Sequence, residues 1–277
     1  MQIIPSISAL RTRLESETKV ALVPTMGNIH DGHLALVKPA QQNGTCTVAS
    51  IFVNRAQFGP KEDFALYPRT LDADYETLRT AGVDIVFCPS EVEIYSEPQT
   101  MMVDLPSIAN ELCGAFRPGH FRAVATIVLK LFNIVQPQVA IFGKKDYQQL
   151  VIIRDMVRQF NLPIDIVACE TTRAHDGLAL SSRNQYLDRD ERTESVRLYQ
   201  CLNQIRQAIT TGERDYALLL KMAKNVLEQN GWKVDYVELR ETNNLNPANR
   251  QSKALVVLAA ALLGKTRLID NLEICIE

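Results

Sequence analysis

The chain has no surplus of either charge. Its 30 lysines and arginines face 32 aspartates and glutamates, for a net charge of −2. That balance leaves no electrostatic footprint for nucleic acid or for an anionic membrane surface. Long apolar runs are missing as well. The longest, Ala254 to Leu263, falls well short of the roughly 20 residues a spanning helix needs. Met1 to Leu10 lacks the basic start and apolar centre of a signal peptide. The cysteines, at 46, 88, 113, 169, 201 and 275, include no Cys-x-x-Cys pair and no zinc-ligand spacing. They read as reduced, mostly buried thiols of a cytoplasmic protein. There is no internal repeat and no low-complexity segment. What the chain does have is core material: 46% of its residues are hydrophobic. Its 277 residues allow one large domain or two smaller ones.

Up to about residue 172, strand and helix signals alternate. Val20–Val23, Thr47–Val53, Asp84–Cys88, Val139–Phe142 and Ile164–Ala168 are short, mostly unalternating apolar runs. Such runs suit a parallel sheet covered on both faces. The spacing of Val124, Ile127, Val128, Leu131, Phe132 and Val135 predicts a helix that Pro137 ends. Another is expected after Asp146 as its cap. This is a doubly wound, Rossmann-like α/β pattern. Beyond residue 172 the pattern changes to helices over Arg189–Thr210 and Arg214–Gln229. Strands over Trp232–Arg240, Ala254–Ala261 and Thr266–Asn271 follow. The expectation is a first domain over 1–172 and a smaller α+β domain over 173–277.

The most informative stretch runs from Val20 to Val37, VALVPTMGNIHDGHLALV. It predicts a buried strand stopped by Pro24, a tight turn, and a helix starting near Gly32. Gly27 and Gly32 let backbone approach a ligand closely, and Asn28 or Asp31 can cap the helix. His30 and His33, three residues apart, share a face of its first turn. A helix N-terminus flanked by two imidazoles suits a phosphate and can stabilise charge as it shifts. A single loop histidine is usually structural or merely solvated. A pair enclosing a glycine, directly after a buried strand, is harder to dismiss.

Thr25-Met-Gly-Asn-Ile-His-Asp-Gly-His33 resembles the histidine motif of the nucleotidyltransferase superfamily, in the form typical of the pantoate–β-alanine ligases. Four further stretches carry the resemblance through nearly the whole chain: Ile51–Asn54 with Gln57-Phe58, Tyr67–Thr70, Arg117–Arg122, and Asp176–Asn184. The histidines, Asn54 with Gln57, the Gly143–Asp146 loop and Ser181–Arg183 each follow a predicted strand. Open parallel sheets bind ligands at those ends.

The resemblance implies ATP-dependent joining of pantoate to β-alanine through a pantoyl adenylate, with Mg²⁺ accompanying ATP and a homodimeric assembly. It implies that His30, His33 and Lys145 are catalytic. ATP would be held by Met26, Gly27, Asn28, Ile29, His30, Asp31, Gly32, His33, Gly143, Lys144, Lys145, Asp146, Thr172, Leu180, Ser181, Ser182 and Arg183. Gln57 and Gln149 would bind pantoate, and Gln57 also β-alanine. Taken alone, a glutamine is most often solvated, a lysine exposed, and Ser-Ser-Arg a surface turn. The 173–277 segment would act as a lid. Asp72 and Asp74 could approach the magnesium, although carboxylates on helix surfaces are commonplace. Arg117–Arg122 could steer anions or only shape the turn before the next helix. Two departures stand out: Arg55-Ala56 where the family commonly has Pro-Met, and Lys144 where it has Glu. The rival readings are a nucleotidylyltransferase of the same superfamily and a nucleotide-binding protein without catalysis.

Overall fold

The computed structural model describes residues 1–60 and 62–276. The chain divides into two compact units. One is Met1–Gly143 with Ile152–Glu170; the other is Lys144–Val151 with Thr171–Glu277.

In the first unit, β1 (Gln2–Ile4), β2 (Val20–Thr25), β3 (Cys46–Ile51), β4 (Ile85–Phe87), β5 (Val139–Gly143) and β6 (Asp165–Cys169) form one parallel sheet. Their order is β1-β4-β3-β2-β5-β6. The doubly wound architecture expected from the apolar runs is therefore present, and every residue of β3 is buried. Strand β1 gave no apolar run because it is three residues long, with Gln2 and Ile3 exposed. Helices α1 (Ile7–Leu14), α2 (Asp31–Asn43) and α3 (Leu71–Thr80) alternate with the first four strands, and α4 (Glu91–Ile94), α5 (Cys113–Phe116) and α6 (His120–Val135) all lie between β4 and β5. Helix α6 starts four residues earlier than its apolar spacing suggests, after Gly119 at φ 80°. It ends at Gln136, which takes a left-handed conformation one residue before Pro137. Leu131 and Phe132 are among its buried residues, where truncation to alanine costs about 2–5 kcal/mol.

Pro24 does not stop β2. The strand continues to Thr25 and pairs with β3 in unbroken register, Pro24 opposite Ser50. The reason is the alternation of the backbone. Val20 offers its carbonyl to Gln138 N, on the β5 side, while Thr25 offers its own to Phe52 N, on the β3 side. Even-numbered residues of β2 therefore face β5. Pairing to β5 covers only Ala21–Val139 and Leu22–Ala140. The missing N–H of Pro24 thus falls beyond the last paired residue on that side.

In the second unit, helix α7 (Tyr147–Gln159) begins. It is followed by α8 (Arg189–Glu194), α9 (Val196–Thr210), α10 (Tyr216–Gln229), β7 (Lys233–Glu241), β8 (Ala254–Leu263) and β9 (Thr266–Cys275). The strands form an antiparallel sheet ordered β7-β8-β9. Leu198, Leu202, Ile205, Leu227 and Trp232 pack with Leu255, Val257, Leu268 and Ile274 as its core. The single helix expected over Arg189–Thr210 is broken at Ser195, which ends α8 and precedes α9. That serine is fully buried, and its hydroxyl donates to the Arg192 carbonyl at 2.7 Å. A side chain competing for helix carbonyls in this way favours a break.

No helix among the described residues is long and apolar enough to cross a membrane. None of the six cysteines is in a disulfide; Cys46, Cys113 and Cys201 are buried, Cys88 and Cys169 half-buried, and Cys275 exposed. Burial, with Glu17 and Asp84 nearby, pushes the Cys46 thiol up to about 11.

Candidate active site

Strands β2 and β5 are sheet neighbours although two strands separate them in sequence. The strand order reverses there, which is where open α/β sheets bind ligands. The loop leaving β2 carries the histidine motif. Gly27 (φ 81°) and Asn28 (φ 51°) turn the chain through the left-handed region. A Cβ at Gly27 would come within 3.0 Å of Asp74 Oδ2 and of Ile51 Cγ2, so only glycine fits.

The helix that follows is capped by neither Asn28 nor Asp31. His30 is the N-cap, and Asp31 is already helical. The Nδ1 of His30 accepts from Gly32 N at 3.1 Å, and the Nδ1 of His33 accepts from His30 N at 3.3 Å. This is a capping box built from two histidines instead of Ser and Glu. It has a chemical consequence. A neutral imidazole that accepts at Nδ1 carries its proton on Nε2. Both rings, with centroids 4.1 Å apart, therefore present Nε2–H donors.

Asn28 has a different task, because its backbone belongs to a clamp made by Asp74. That carboxylate accepts from Asn28 N at 2.9 Å and Ile29 N at 2.8 Å, and from Thr70 Oγ1 at 3.0 Å. Asp74 is 2% exposed. It is not a surface carboxylate, and both its oxygens are committed to the loop. Its place one turn before the buried Leu78 of α3 was the available signal that it faces inward.

Gln57 ends a 3₁₀ turn, Arg55–Gln57. Its side-chain amide is held at both ends: Asn54 Nδ2 donates to Oε1 at 3.2 Å, and Nε2 donates to Met26 Sδ at 2.9 Å. Asn54 is itself buried and accepts from Tyr95 OH at 2.9 Å. The Gln57 carbonyl faces His120 Nδ1 at 2.8 Å. A carbonyl cannot donate, so that nitrogen carries the proton. The Nε2 of His120 then accepts from Arg117 Nη1 at 2.9 Å. Arg117 also forks onto Glu62, at 2.7 and 2.6 Å. Burial alone would raise the Glu62 carboxyl, but the hydrogen bonds and charge of Arg117 outweigh it and hold it below its ordinary value. Of the two readings of Arg117–Arg122, this geometry favours shaping the turn. Arg55 lies over the Phe64 ring, 5.3 Å from its centroid, and Ala56 is exposed.

In the second unit, Lys144–Asp146 forms a 3₁₀ turn leading into α7. Lys144 Nζ lies 2.6 Å from Glu273 Oε2, and Tyr147 OH donates to Glu273 Oε1 at 2.7 Å. The departure from the family's glutamate at 144 is thus matched by an acidic partner. Lys145 and Gln149 are half-buried, and Asp146 is exposed. Thr172 and Leu180 are joined, Leu180 N donating to the Thr172 carbonyl at 3.0 Å. Ser181 then caps the turn Ser182–Tyr186 through Arg183 N at 3.3 Å. Ser181, Ser182 and Arg183 are half-buried. Inside each unit, then, Met26 to His33 gather with Gln57, and Thr172 gathers with Leu180 to Arg183. Among the described residues no cluster of three or more His, Cys, Asp or Glu side chains is placed to hold a metal ion.

Residues 2–273 match the family model described as pantoate-beta-alanine ligase. The pantothenate synthetase of Nitrosospira multiformis is 58% identical over 274 residues, covering 99% of this chain and 98% of that protein. That of Methylobacillus flagellatus is 58% identical over 273 residues, with coverages of 99% and 98%. The crystal structure of pantothenate synthetase from Thermus thermophilus superposes with a TM-score of 0.94 at 40% identity, over 98% of this chain and 99% of that one. The ligase of Francisella tularensis, solved as a complex with beta-gamma ATP and beta-alanine, gives 0.84 at 33% identity, with coverages of 98% and 97%. A match over this length, at these identities and with the histidine motif intact, leaves one conclusion: the chain belongs to the pantoate–β-alanine ligase family.

Proposed function

We infer that this chain joins pantoate to β-alanine with ATP, giving pantothenate, AMP and diphosphate, and that its residues divide the work as follows. The pantoate carboxylate attacks the α-phosphorus of ATP, and the bond to the bridging oxygen of diphosphate breaks. The amine of β-alanine then attacks the carbonyl of the enzyme-bound pantoyl adenylate, loses a proton, and expels AMP. No covalent enzyme intermediate is required.

His30 and His33 donate Nε2–H bonds to phosphate oxygens as charge builds at phosphorus, and Lys145 adds a point charge. Gln57 and Gln149 orient the attacking carboxylate; neutral amides do so without drawing electron density from it as an arginine would. Gln57 also receives β-alanine. Met26–Ile29, Asp31, Gly32, Gly143, Lys144, Asp146, Thr172 and Leu180 line the nucleotide. Ser181, Ser182 and Arg183 meet its β- and γ-phosphates. Magnesium, when bound, neutralises charge on the leaving diphosphate. Asp74, committed to two backbone N–H groups and the Thr70 hydroxyl, would not be free to hold that ion, whereas Asp72 is exposed on the same helix. Residues 173–277 serve as the lid that keeps water from the adenylate, and the working assembly is a homodimer.

The observation that carries this reading over a nucleotidylyltransferase is the Gln57 amide, pinned between Asn54 and the motif's own Met26. A transferase acting on a phosphate has no use for a carboxylate-orienting amide there. The test is isotope exchange. With pantoate present and β-alanine absent, labelled diphosphate should exchange into ATP. With β-alanine added, AMP and pantothenate should appear by mass. Exchange that requires β-alanine would overturn the two-step scheme, and ATP binding without turnover would support a non-catalytic protein.

A further inference from the structure

Lys145 sits on a 3₁₀ turn that also receives two hydrogen bonds from the far end of the chain. Asn271, in β9, is 5% exposed. Its Nδ2 donates to the carbonyl of Lys144 at 2.9 Å and to the carbonyl of Lys145 at 2.9 Å. Those carbonyls belong to the two peptide planes on either side of the Lys145 Cα. Each plane is rigid. Pinning both fixes φ and ψ of Lys145, and with them the direction of its Cα–Cβ bond. An amide nitrogen, with two N–H donors on one atom, is suited to this.

Asn271 is in turn held. Its N–H donates to Asp270 Oδ1 at 2.7 Å, and its carbonyl accepts from Arg173 Nη2 at 3.1 Å. Arg173 forks onto Asp270 at 2.7 and 2.9 Å and donates to the Gly177 carbonyl at 3.0 Å. It also pairs as an isolated bridge with Ala179, in the hairpin that leads to Ser181. Successive residues of a strand point to opposite faces. Leu268 and Ile274 mark the face of Asp270 as the one packed in the helix-covered core. Asn271 and Glu273 leave from the other face, where Glu273 takes Lys144 and Tyr147. One short piece of β9 therefore grips the Lys144–Asp146 turn with one face and the root of the Ser181–Arg183 segment with the other.

We propose that Asn271 is a positioning residue for the ligase reaction, which acts by fixing the backbone of Lys145. The proposal rests on the reading of Lys145 as a phosphate-contacting group. The test is a double-mutant cycle on the full-length enzyme, read by kcat for diphosphate exchange, with thermal melting to check folding. Asn271→Leu keeps the volume and removes both donors. It should lower kcat about 10- to 100-fold, the scale of displacing a catalytic group by roughly an ångström, with a smaller change in KM for ATP. In a Lys145→Ala background the same substitution should matter less than about twofold, since the group it positions is gone. Asn271→Ser, which keeps one donor, should lie between wild type and leucine; it takes the place of leucine in the cycle if that variant does not fold. An impaired Lys145→Ala enzyme in which the Asn271 substitution still costs its full factor would overturn the inference alone. A Lys145→Ala enzyme at the wild-type rate would overturn the phosphate role of Lys145 and the inference with it.

Discussion

The two segments proposed to supply cationic or donor groups to ATP are built in opposite ways. The histidine motif is held locally at its helix start: His30 and His33 cap the helix they belong to, with bonds spanning two and three residues. The Asp74 clamp and the Gln57 amide on Met26 are brought from farther away. The Lys144–Asp146 turn is pinned by Asn271 and Glu273, more than 120 residues later. A self-capped motif makes its geometry as soon as its helix forms. A turn held from a distant strand has its geometry only when that strand is in place. Damage to the first should therefore be felt in chemistry, and damage to the second in chemistry through position.

The largest effect expected on this comparison is at His33. His33→Ala removes an Nε2–H donor and half of the capping box. Its kcat should fall roughly 10²–10³-fold, as for loss of a preorganised donor, with a smaller effect on ATP affinity. Steady-state kinetics checks this, and a near-normal kcat would remove His33 from the transition state. Next is Asp74→Asn, which sets an amide N–H₂ against one of the two backbone N–H groups now bound by separate carboxylate oxygens. Leaving a buried donor unpaired costs about 1–3 kcal/mol. Melting temperature and kcat should fall together here, whereas His33→Ala should separate them. A variant that loses activity at wild-type stability would mean that Asp74 does more than hold the loop.

A smaller effect is expected at Ala56, where the family's methionine is missing. Ala56→Met should lower KM for pantoate and sharpen selectivity against bulkier hydroxy acids, by about 1–3 kcal/mol at most, with KM for ATP nearly unchanged. Weaker pantoate binding in the mutant would mean that the neighbours have already filled the space. The smallest effect is a pH dependence. Glu62 has its carboxyl held low in the folded protein by Arg117. Its pairing therefore stabilises above the ordinary glutamate range of about 4.3 and is lost as pH falls through the lowered folded value. Wild type should lose stability relative to Glu62→Gln on acidification across that window, and equal slopes in thermal melts would break the assignment.

The contrast also marks what the sequence made legible. The parallel sheet followed from unalternating apolar runs, and the motif from its glycines and histidines, because those signals are local. Asp74 was misread because one carboxylate on a polar helix looks like any other until its burial is known. Asn271 was not singled out at all: its partners are two main-chain carbonyls, which have no residue identity. The histidine cap was missed for a subtler reason. Asn and Asp are the usual caps, and imidazole nitrogen as acceptor is easily overlooked beside them.

Pro24 also shapes the parting of β2 from β5 at the end of the sheet. Beyond Leu22, the hydrogen bond that would continue the ladder between β2 and β5 would have to come from the nitrogen of Pro24, which has no hydrogen to give. On the other side, β2 stays zipped to β3 as far as Thr25 and Ile51. The proline thus works as a one-sided zip stop. It lets the strand run on while the seam toward β5 stays open beyond Leu22, so the parting of the two strands at the switch point is written into the main chain.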